Sequence, residues 1–322
     1  MSDQELRRTE IVFLYDVTDS NPNGDPNDEN RPRMDVESGR AKVSDVRLKR
    51  TVRDYLHGVL GEEIFCRQVE KGDGTIQEGK DRADDFFPAV EIGAAKQAKT
   101  VLDKRNLIQK HILEECIDVR LFGATVPVSK GKLSGTGDSS VTLTGPVQFA
   151  MGTSLHRVDP RFIKGTGAFA SGQGAQRQTF REEYMLPYAL IAFYGIVNQH
   201  AAKTTGLTVA DVELLYEGIW YGTKNLITRS KIGQRPLWLL LVEYSDPKSY
   251  IGRLDRYLSV NIADGLRDEA VRGVDQLNLV ADQLVKVLEE RKERIARIRL
   301  AHDTRLKVSG FEWRGHEDLK FI

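Results

Sequence analysis

Residues 11–17 read IVFLYDV, a short apolar run rich in β-branched and aromatic side chains. A run of this length and composition predicts a buried central strand. It leads into SNPNGDPNDENRPR, residues 20–33, whose Asn, Pro, Gly and Asp content predicts a loop with several turns. Ser44 then caps a predicted helix, which ends near Gly58 and Gly61. The chain therefore begins with a strand, a turn-rich loop and a helix.

The later elements extend this order. Residues 141–151, 184–197 and 237–242 are further apolar runs that predict strands. Thr208 caps a second helix, with Asp211 in the favoured third position. Without insertions, the order is strand, helix, strand, strand, helix, strand, which is the ferredoxin-like or split-βαβ order that RNA-recognition domains also use. We therefore predict an α+β fold with a ferredoxin-like, RRM-like palm of βαββαβ order.

Three segments fall outside that order. Residues 62–118 begin with an acidic, glycine-interrupted stretch and predict an inserted, solvent-exposed, finger-like subdomain. Residues 164–181 are rich in Gly, Ala, Ser and Gln and predict a long flexible hairpin or loop. The pattern of residues 275–300 predicts one long amphipathic helix, within a helical C-terminal extension over 259–322. All of these segments are expected to belong to a single domain of residues 1–322.

Composition excludes several classes of protein. The chain has 47 basic and 47 acidic residues, so only the local distribution of charge can indicate nucleic acid. Cys66 and Cys116 lie far apart without metal-ligand spacing, as is typical of reduced thiols in a cytosolic protein. The first ten residues lack the apolar segment of a signal peptide, and no apolar run is long enough to cross a membrane. We expect a cytoplasmic protein without a membrane partner.

The strongest local charge signal lies in residues 31–53, RPRMDVESGRAKVSDVRLKRTVR, where eight basic side chains accompany three acidic ones. On the predicted helix, Lys49, Arg50 and Arg53 fall on one stripe that flanks the apolar face, which suits phosphate binding. Arg47 lies in the first turn, where positive charge is unfavourable unless an anion occupies the helix N-terminus. A solvated basic helix face is the alternative interpretation.

The turn-rich loop offers a metal site as another alternative. It matches the opening of a calcium-binding EF-hand loop at four positions, Asp19, Asn21, Asn23 and Gly24. The twelfth position is Asn30, where a bidentate glutamate is needed, and a strand rather than a helix precedes the loop. The acids of residues 19–35 could instead hold a hydrolytic metal. Under that rival hypothesis the chain is a metal-dependent ribonuclease.

The glycine-rich segment fits neither GxGxxG nor a P-loop, so it does not indicate a nucleotide cofactor. Basic residues flank it, and a mobile arm of this kind could close over a polyanion, with Phe169 stacking on a base. A disordered surface loop is an equally fair interpretation. Motifs of hydrolytic enzymes such as GxSxG and HExxH are absent from the sequence. We therefore assign no catalytic residue, no metal ligand and no cofactor.

The opening of the chain, residues 11–56, resembles the Csd/Csh-type members of the Cas-seven (Cas7) family, the backbone subunits of type I-B and I-C Cascade complexes. Three motifs carry the resemblance: NPNGDP at 21–26, RPRMD at 31–35 and VSDVRLKR at 43–50. The later stretch REEYMLPYALIAFYG, residues 181–195, is similar to the family as well. The chain is thus identified as a member of this family over about residues 10–245.

The resemblance implies a non-enzymatic, RNA-binding structural subunit with a thumb hairpin over residues 152–183. Copies would stack head to tail along CRISPR RNA as a helical filament, an open heterologous assembly. Each thumb would cross the RNA and flip a nucleotide, while the spacer stays presented for pairing with target DNA. Further expected partners are a crRNA-processing endonuclease subunit at one end and a large subunit at the other.

The resemblance also implies residue roles. Ser44, Lys49 and Arg50 match the family's helix that grips the RNA backbone, and the two arginines of RPRMD are expected to contact further phosphates. Asp25 or Asp35 lies where some type III relatives place a catalytic aspartate, but the opening has the type I pattern. With the helix-face and thumb candidates added, the predicted RNA-binding residues are Arg31, Arg33, Ser44, Arg47, Lys49, Arg50, Arg53, Phe169, Arg177 and Gln178.

Overall fold

A computed structural model describes residues 5–87, 100–130, 133–134, 139–170, 178–313 and 315–321, with the backbone alone for 166–170 and 178–181. The chain forms two compact units, and the single domain over residues 1–322 stays a prediction. The first unit contains Val52–Gln148 and Ile196–Gly218, together with the N-terminal residues up to Arg7. The sheet unit contains Arg8–Thr51, Phe149–Gly195 and Ile219–Ile322. Each unit buries an apolar cluster of its own, which is why the chain divides.

The described elements follow in chain order. The strands are β1 (Thr9–Ser20), β2 (Gly24–Asp25), β3 (Arg31–Pro32), β4 (Met34–Asp35), β5 (Arg40–Val43), β6 (Gly123–Val128), β7 (Ser139–Thr144), β8 (Val147–Phe149), β9 (Gly152–Ser154), β10 (Arg161–Ala170), β11 (Gln178–Val197), β12 (Gln234–Tyr244), β13 (Ser259–Ile262), β14 (Leu277–Val280), β15 (Ile295–His302), β16 (Lys307–Ser309) and β17 (Glu317–Asp318). The α-helices are α1 (Asp45–Gly58), α2 (Gly79–Asp85), α3 (Val101–Glu115), α4 (Ile117–Phe122), α5 (Gln199–Thr205), α6 (Val209–Lys224) and α7 (Asp282–Glu289). Within the described ranges, no helix has the length and apolar character needed to cross a membrane.

The sheet unit is organised around β1. Its main sheet has the strand order β17–β15–β12–β1–β11–β9–β5–β4, and β10 pairs with β11 as a further strand. β1 pairs antiparallel with β12, from Thr9 opposite Glu243 to Val17 opposite Gln234. β12 pairs antiparallel with β15 in turn. β1 therefore lies in the interior of the sheet, as the sequence predicts for residues 11–17.

β1 is buried on both of its faces. Val12 and Leu14 join an apolar cluster with Trp238 and with residues of β14 and α7. On the opposite face, Phe13 stacks on Tyr15, with ring centroids 5.7 Å apart. Because both faces pack against apolar side chains, the strand is a continuous apolar run rather than an alternating one.

The first unit combines short helices with a hairpin. β6 pairs antiparallel with β7 throughout their length. Its core cluster includes Phe65, Ile108, Ile112, Val126 and Leu143. The predicted finger-like segment, 62–118, lies within this unit, which continues beyond it to Gln148.

The prediction of one long helix over residues 275–300 is wrong. The chain instead forms β14, then the eight-residue helix α7, then β15. Leu277 and Leu279 alternate with polar residues, as in a strand, whereas Leu284 and Leu288 are spaced for a helix face. The strand-like pattern passes directly into the helix-like pattern, so hydrophobicity alone does not separate the two elements. Pairing with β12 fixes the segment that follows α7 as the strand β15. The extension over 259–322, predicted to be helical, therefore contains the five strands β13–β17 and only one α-helix, α7, among its described residues.

Glu10 ties several elements of the sheet unit together. Its carboxylate is fully buried in β1. Oε1 accepts hydrogen bonds from the hydroxyl of Tyr194, at 2.6 Å, and from the amide of Gly252, at 2.7 Å. Oε2 accepts from the hydroxyl of Tyr244 and from the amide of Ile251, the latter at 2.8 Å. A buried carboxylate needs partners of this kind to offset its loss of hydration.

We predict that Glu10→Ala lowers the free energy of unfolding by about 4 kcal/mol, because it leaves buried donors without an acceptor. The three tryptophans of the chain lie in the sheet unit, so their fluorescence during urea denaturation reports this loss. The exposed Glu290 is the matched control, and Glu290→Ala is expected to change the free energy by less than about 0.5 kcal/mol. Equal stability of the two variants would contradict the role of Glu10.

Asp16, farther along β1, is buried beside the hydroxyl of Tyr188. Burial raises the pKa of its carboxyl to about 6, although Arg235 and Arg305 favour the charged form. In the unfolded chain the same carboxyl ionises near its ordinary value of 3.8. Ionisation of Asp16 therefore lowers the free energy of unfolding progressively as the pH rises from about 4 to about 6. Above that interval the loss is about 3 kcal/mol.

Because asparagine does not ionise, the Asp16→Asn variant does not lose this free energy as the pH rises. We expect the variant to gain stability relative to the wild type between about pH 4 and about pH 7, by up to about 3 kcal/mol. Urea denaturation at both pH values measures the difference. A difference between variant and wild type that does not change with pH would contradict the prediction.

Candidate nucleic-acid interface

The loop that follows β1 is a tight hairpin between β2 and β3. The amides of Asp28 and Asn30 both donate to the carbonyl of Asp25, at 3.1 and 2.9 Å. Glu29 and Asn30 have positive φ angles, of 48° and 57°, which fix the turn. Gly24 packs so closely that a Cβ atom there would lie 2.0 Å from the side-chain oxygen of Asn30. The backbone of this turn is therefore fixed, and with it the points at which the acidic side chains leave the chain.

This hairpin borders an open cleft of about 570 Å³ in the sheet unit. The lining combines basic, acidic, apolar and aromatic side chains: Asp25, Asp28, Arg31, Pro32, Arg33, Met34, Val36, Lys42, Met151, Pro160 and Tyr184. Val36 is 92% exposed and Met151 is 51% exposed, so apolar surface is open to solvent here. Exposed apolar and aromatic surface beside cations is typical of sites that bind single-stranded nucleic acid.

Arg31 and Tyr184 form the central contact of the cleft. The guanidinium carbon of Arg31 lies 4.4 Å from the centroid of the Tyr184 ring. Nη2 of Arg31 donates to the Tyr184 hydroxyl at 2.8 Å. The ring of Phe162, on β10, lies 5.0 Å from the ring of Tyr184 and is half exposed. These side chains provide π faces and a cation within one small area, which suits an unstacked base and its phosphate.

The other two basic residues of the cleft have acidic neighbours. Nη1 of Arg33 donates to Oδ2 of Asp25 at 2.9 Å. Nζ of Lys42 donates to Oγ1 of Thr153 at 3.0 Å and lies 3.9 Å from Oδ2 of Asp35. Both cations are partly exposed. They can therefore contact a polyanion, but part of their charge is already balanced.

Ser44 organises the start of α1. Its hydroxyl accepts from the amide of Arg47 at 3.3 Å, and its own amide donates to Oδ1 of Asn23 at 2.7 Å. Burial, together with the neighbouring Arg47, lowers the pKa of Lys231 to about 8. Nζ of Lys231 donates to the carbonyl of Asn21. Two cationic side chains therefore lie close together near the helix N-terminus, where an anion would stabilise both.

The two remaining basic residues of the helix's first half differ in exposure. Nζ of Lys49 lies 3.0 Å from Oδ2 of Asp45, and its side chain is 12% exposed. Arg50 is exposed. Arg50 is therefore the better placed of the two to contact a polyanion.

Arg53 has an internal partner. Its Nε donates to Oδ2 of Asp118 at 2.8 Å, and its guanidinium carbon lies 5.1 Å from the centroid of the Phe122 ring. Asp118 is fully buried and also accepts from the amides of Phe65 and Cys66. A structural role accounts for Arg53, and its predicted contact with RNA stays a prediction.

Comparison with known proteins shows the family to which the chain belongs. The profile of the family described as "CRISPR-associated protein Cas7" matches residues 7–282. The chain belongs to the Cas7 family. A "CRISPR-associated protein Cas7" of Haloferax volcanii is 31% identical over 322 residues, covering 94% of this chain and 89% of the relative. The membership predicted from the three motifs is confirmed.

A solved structure has a similar fold. A chain described as "CRISPR RNA-guided surveillance complex, pre-nicking" superimposes with a TM-score of 0.53, at 12% sequence identity. The match covers 94% of this chain and 95% of that chain. It confirms the α+β class, with several sheets, for this member of the Cas7 family.

The predicted thumb residues of this Cas7 family member stay predictions. β10 and β11 pair from Arg161 opposite Met185 to Thr166 opposite Phe180. Phe169 and Gln178 lie in these strands, but their side chains are outside the described part of the chain, and so is the whole of Arg177.

Sequence reasoning missed Tyr184 and Phe162 as candidates for the interface. Tyr184 stands at the edge of the apolar run 184–197, directly after two glutamates, which was a usable signal of partial exposure. Its contact with Arg31 joins residues 153 positions apart, and no local pattern predicts such a pair.

The acidic side chains of the loop engage arginines. Asp25 pairs with Arg33, and Asp28 and Glu29 pair with Arg31. Among the residues that the structure describes, no group of three His, Cys, Asp or Glu side chains is arranged to hold a metal ion.

The different surroundings of Arg53 and Arg50 give a testable contrast. Arg53→Ala is expected to lower the free energy of unfolding by about 3 kcal/mol, because it leaves the buried Asp118 without its cation. Arg50→Ala, on the exposed face of the same helix, is expected to change it by less than about 1 kcal/mol. Urea denaturation followed by far-UV circular dichroism measures both. A stable Arg53→Ala variant with weakened RNA binding would contradict the structural role.

Proposed function

We propose that this chain binds CRISPR RNA, without sequence preference, as the repeating backbone subunit of a type I CRISPR-Cas (Cascade) surveillance complex. The observation that carries the proposal is the open contact of Arg31 with Tyr184, beside Phe162. Membership of the Cas7 family supports it, as does the fold shared with a surveillance-complex chain. In this role the protein is structural and not an enzyme.

The proposed architecture is a ferredoxin-like, RRM-like palm. Its support is the strand path β12–β1–β11–β9, in which the four strands stand in the order fourth, first, third, second along the chain. Helix α1 follows β1 in sequence, and α6 follows β11. The β10–β11 hairpin supports a thumb within residues 152–183, and the segment 62–118 is the proposed finger.

The proposed mechanism combines charge with stacking. Arginine and lysine side chains of the cleft and of α1 attract phosphates, a contribution that ignores sequence and weakens with salt. Tyr184 and Phe162 offer ring faces to an unstacked base, which every base can use. The RNA is thereby held through its backbone while its spacer stays available for pairing with target DNA.

The proposed partners follow from this role. Copies of the chain stack head to tail along the RNA in a helical filament. A crRNA-processing endonuclease subunit occupies one end, a large subunit occupies the other, and target DNA joins by pairing with the RNA. We place the assembly in the cytoplasm, without a cofactor.

Co-purification tests the proposal directly. The chain is isolated from cells that transcribe a CRISPR array with the neighbouring subunits, and the nucleic acid that elutes with it is sequenced. Repeat-spacer RNA in a large assembly is the expected result. Elution without nucleic acid, with the array transcribed, would contradict the proposal and favour a module for protein interaction.

The rival ribonuclease hypothesis depends on the acids of residues 19–35. It predicts cleavage of RNA that requires Mg²⁺ and is lost in Asp25→Ala. The ion pairs of Asp25, Asp28 and Glu29 with arginines support the structural role instead. Incubation of labelled RNA with Mg²⁺ or Mn²⁺ decides between them, and our proposal predicts intact RNA.

Tyr184→Leu tests the stacking contribution. We expect about a tenfold loss of affinity for single-stranded RNA, because stacking on an aromatic ring contributes about 1–3 kcal/mol per base. The dependence of the affinity on salt should stay unchanged, since no charge is removed. Fluorescence anisotropy over a series of salt concentrations measures both quantities.

Tyr250→Leu is the matched control. Tyr250 is an exposed tyrosine of the sheet unit, with the guanidinium of Arg8 5.7 Å from its ring centroid, but it does not line the cleft. Its replacement should leave RNA affinity unchanged. If both tyrosine variants bind like the wild type, the cleft does not stack a base.

A further inference from the structure

Acidic side chains of the hairpin between β2 and β3 already contact Arg31, the cation that faces the cleft. Oε2 of Glu29 accepts from Nη2 of Arg31 at 2.9 Å, and Oδ1 of Asp28 lies 3.6 Å from Nε of the same arginine. The side chains of Arg31 and Glu29 are 45% and 71% exposed, respectively. The pair is therefore open to any ligand that enters the cleft.

The backbone holds Glu29 in this position. The φ angle of Glu29 is positive, and the amide of the next residue, Asn30, donates a hydrogen bond to the carbonyl of Asp25. Oε2 of Glu29 also accepts from the hydroxyl of Tyr184, at 3.3 Å. Glu29, Arg31 and Tyr184 thus form a closed set of contacts on the surface that we assign to RNA.

A carboxylate and a phosphate use the same donors of a guanidinium group. Both accept charge-assisted hydrogen bonds from its planar array of N–H groups. An RNA phosphate that binds Arg31 through the N–H group directed at Glu29 must therefore displace that carboxylate. That exchange replaces one ion pair by another and so weakens the net gain from binding.

We propose that Glu29 is an internal competitor for the RNA phosphate at Arg31 and lowers the affinity of a single copy for nucleic acid. This inference rests on the proposed function and concerns its regulation. Exposed ion pairs are weak, so the competition reduces the affinity of one site by about twofold to fivefold. Occupancy of RNA then depends more strongly on contacts between neighbouring copies than on any one copy.

The competitor also changes the response to salt. With Glu29 in place, the local charge of Arg31 is balanced before RNA arrives, and its contact releases fewer counterions from the RNA. Removing the carboxylate should add about one neutralised phosphate. For a single strand this steepens the slope of log K against log salt by about 0.7.

Glu29→Gln tests the inference, because it keeps the shape of the side chain and removes its charge. Affinity for a labelled single-stranded oligouridylate is measured by fluorescence anisotropy over a series of NaCl concentrations. We expect twofold to fivefold tighter binding and a slope steeper by about 0.7. The control is Asp73→Asn, an equal change of net charge at an exposed carboxylate of the first unit, which should match the wild type.

A second pair of variants isolates the contact with Arg31. In an Arg31→Ala background, Glu29→Gln should have no effect on affinity, because the group for which it competes is gone. An equal gain in RNA affinity in both backgrounds would overturn the inference and indicate a general effect of charge. If Glu29→Gln binds RNA with the affinity of the wild type, the inference is also wrong, but the proposed function is not affected. Failure of the wild type to bind RNA at any salt concentration would instead overturn the proposed function itself.

Discussion

The carboxylate of Glu10 is fully buried in the central strand, and it accepts hydrogen bonds from three neighbouring parts of the sheet unit. Tyr194 approaches from β11 and Tyr244 from β12, while the amides of Ile251 and Gly252 belong to the segment that follows β12. A buried charge is tolerated only when its acceptor capacity is filled. The register of β1 against both neighbouring strands is therefore coupled to this one group.

The position of the cleft depends on where β1 ends. The amide of Thr18 donates to the carbonyl of Gly233, and the amide of Asn21 donates to that of Ser230, each at 2.9 Å. These bonds hold the end of the strand against the segment before β12. From there the chain turns into the β2–β3 hairpin, which brings Arg31 to Tyr184. The candidate site is thus fixed by a rigid strand, although its own residues lie at the surface.

The sequence predicts features that depend on local chemistry. The central strand over 11–17 and the cap of α1 at Ser44 need only apolar burial and a side-chain oxygen, and both are found. The predicted helix over 275–300 fails because long-range pairing with β12 outweighs helical periodicity. The pairing of Arg31 with Tyr184 likewise joins distant segments. Residue type predicts which side chains suit RNA, whereas the fold decides which of them are accessible.

A chain without net charge can still bind a polyanion if its acids and bases are sorted locally. Here the sorting is incomplete, since Arg31, Arg33 and Lys42 each have a carboxylate within 4 Å in the cleft or beside it. Charge alone would therefore give a weak site, and in the proposed interface the partly exposed ring of Tyr184 and the exposed ring of Phe162 supply a larger share of the binding energy. A subunit that repeats along one RNA needs only modest affinity per copy, because neighbouring contacts add to it. Balanced charge at the cleft fits that requirement better than a strongly basic surface, which would also retain unrelated nucleic acids.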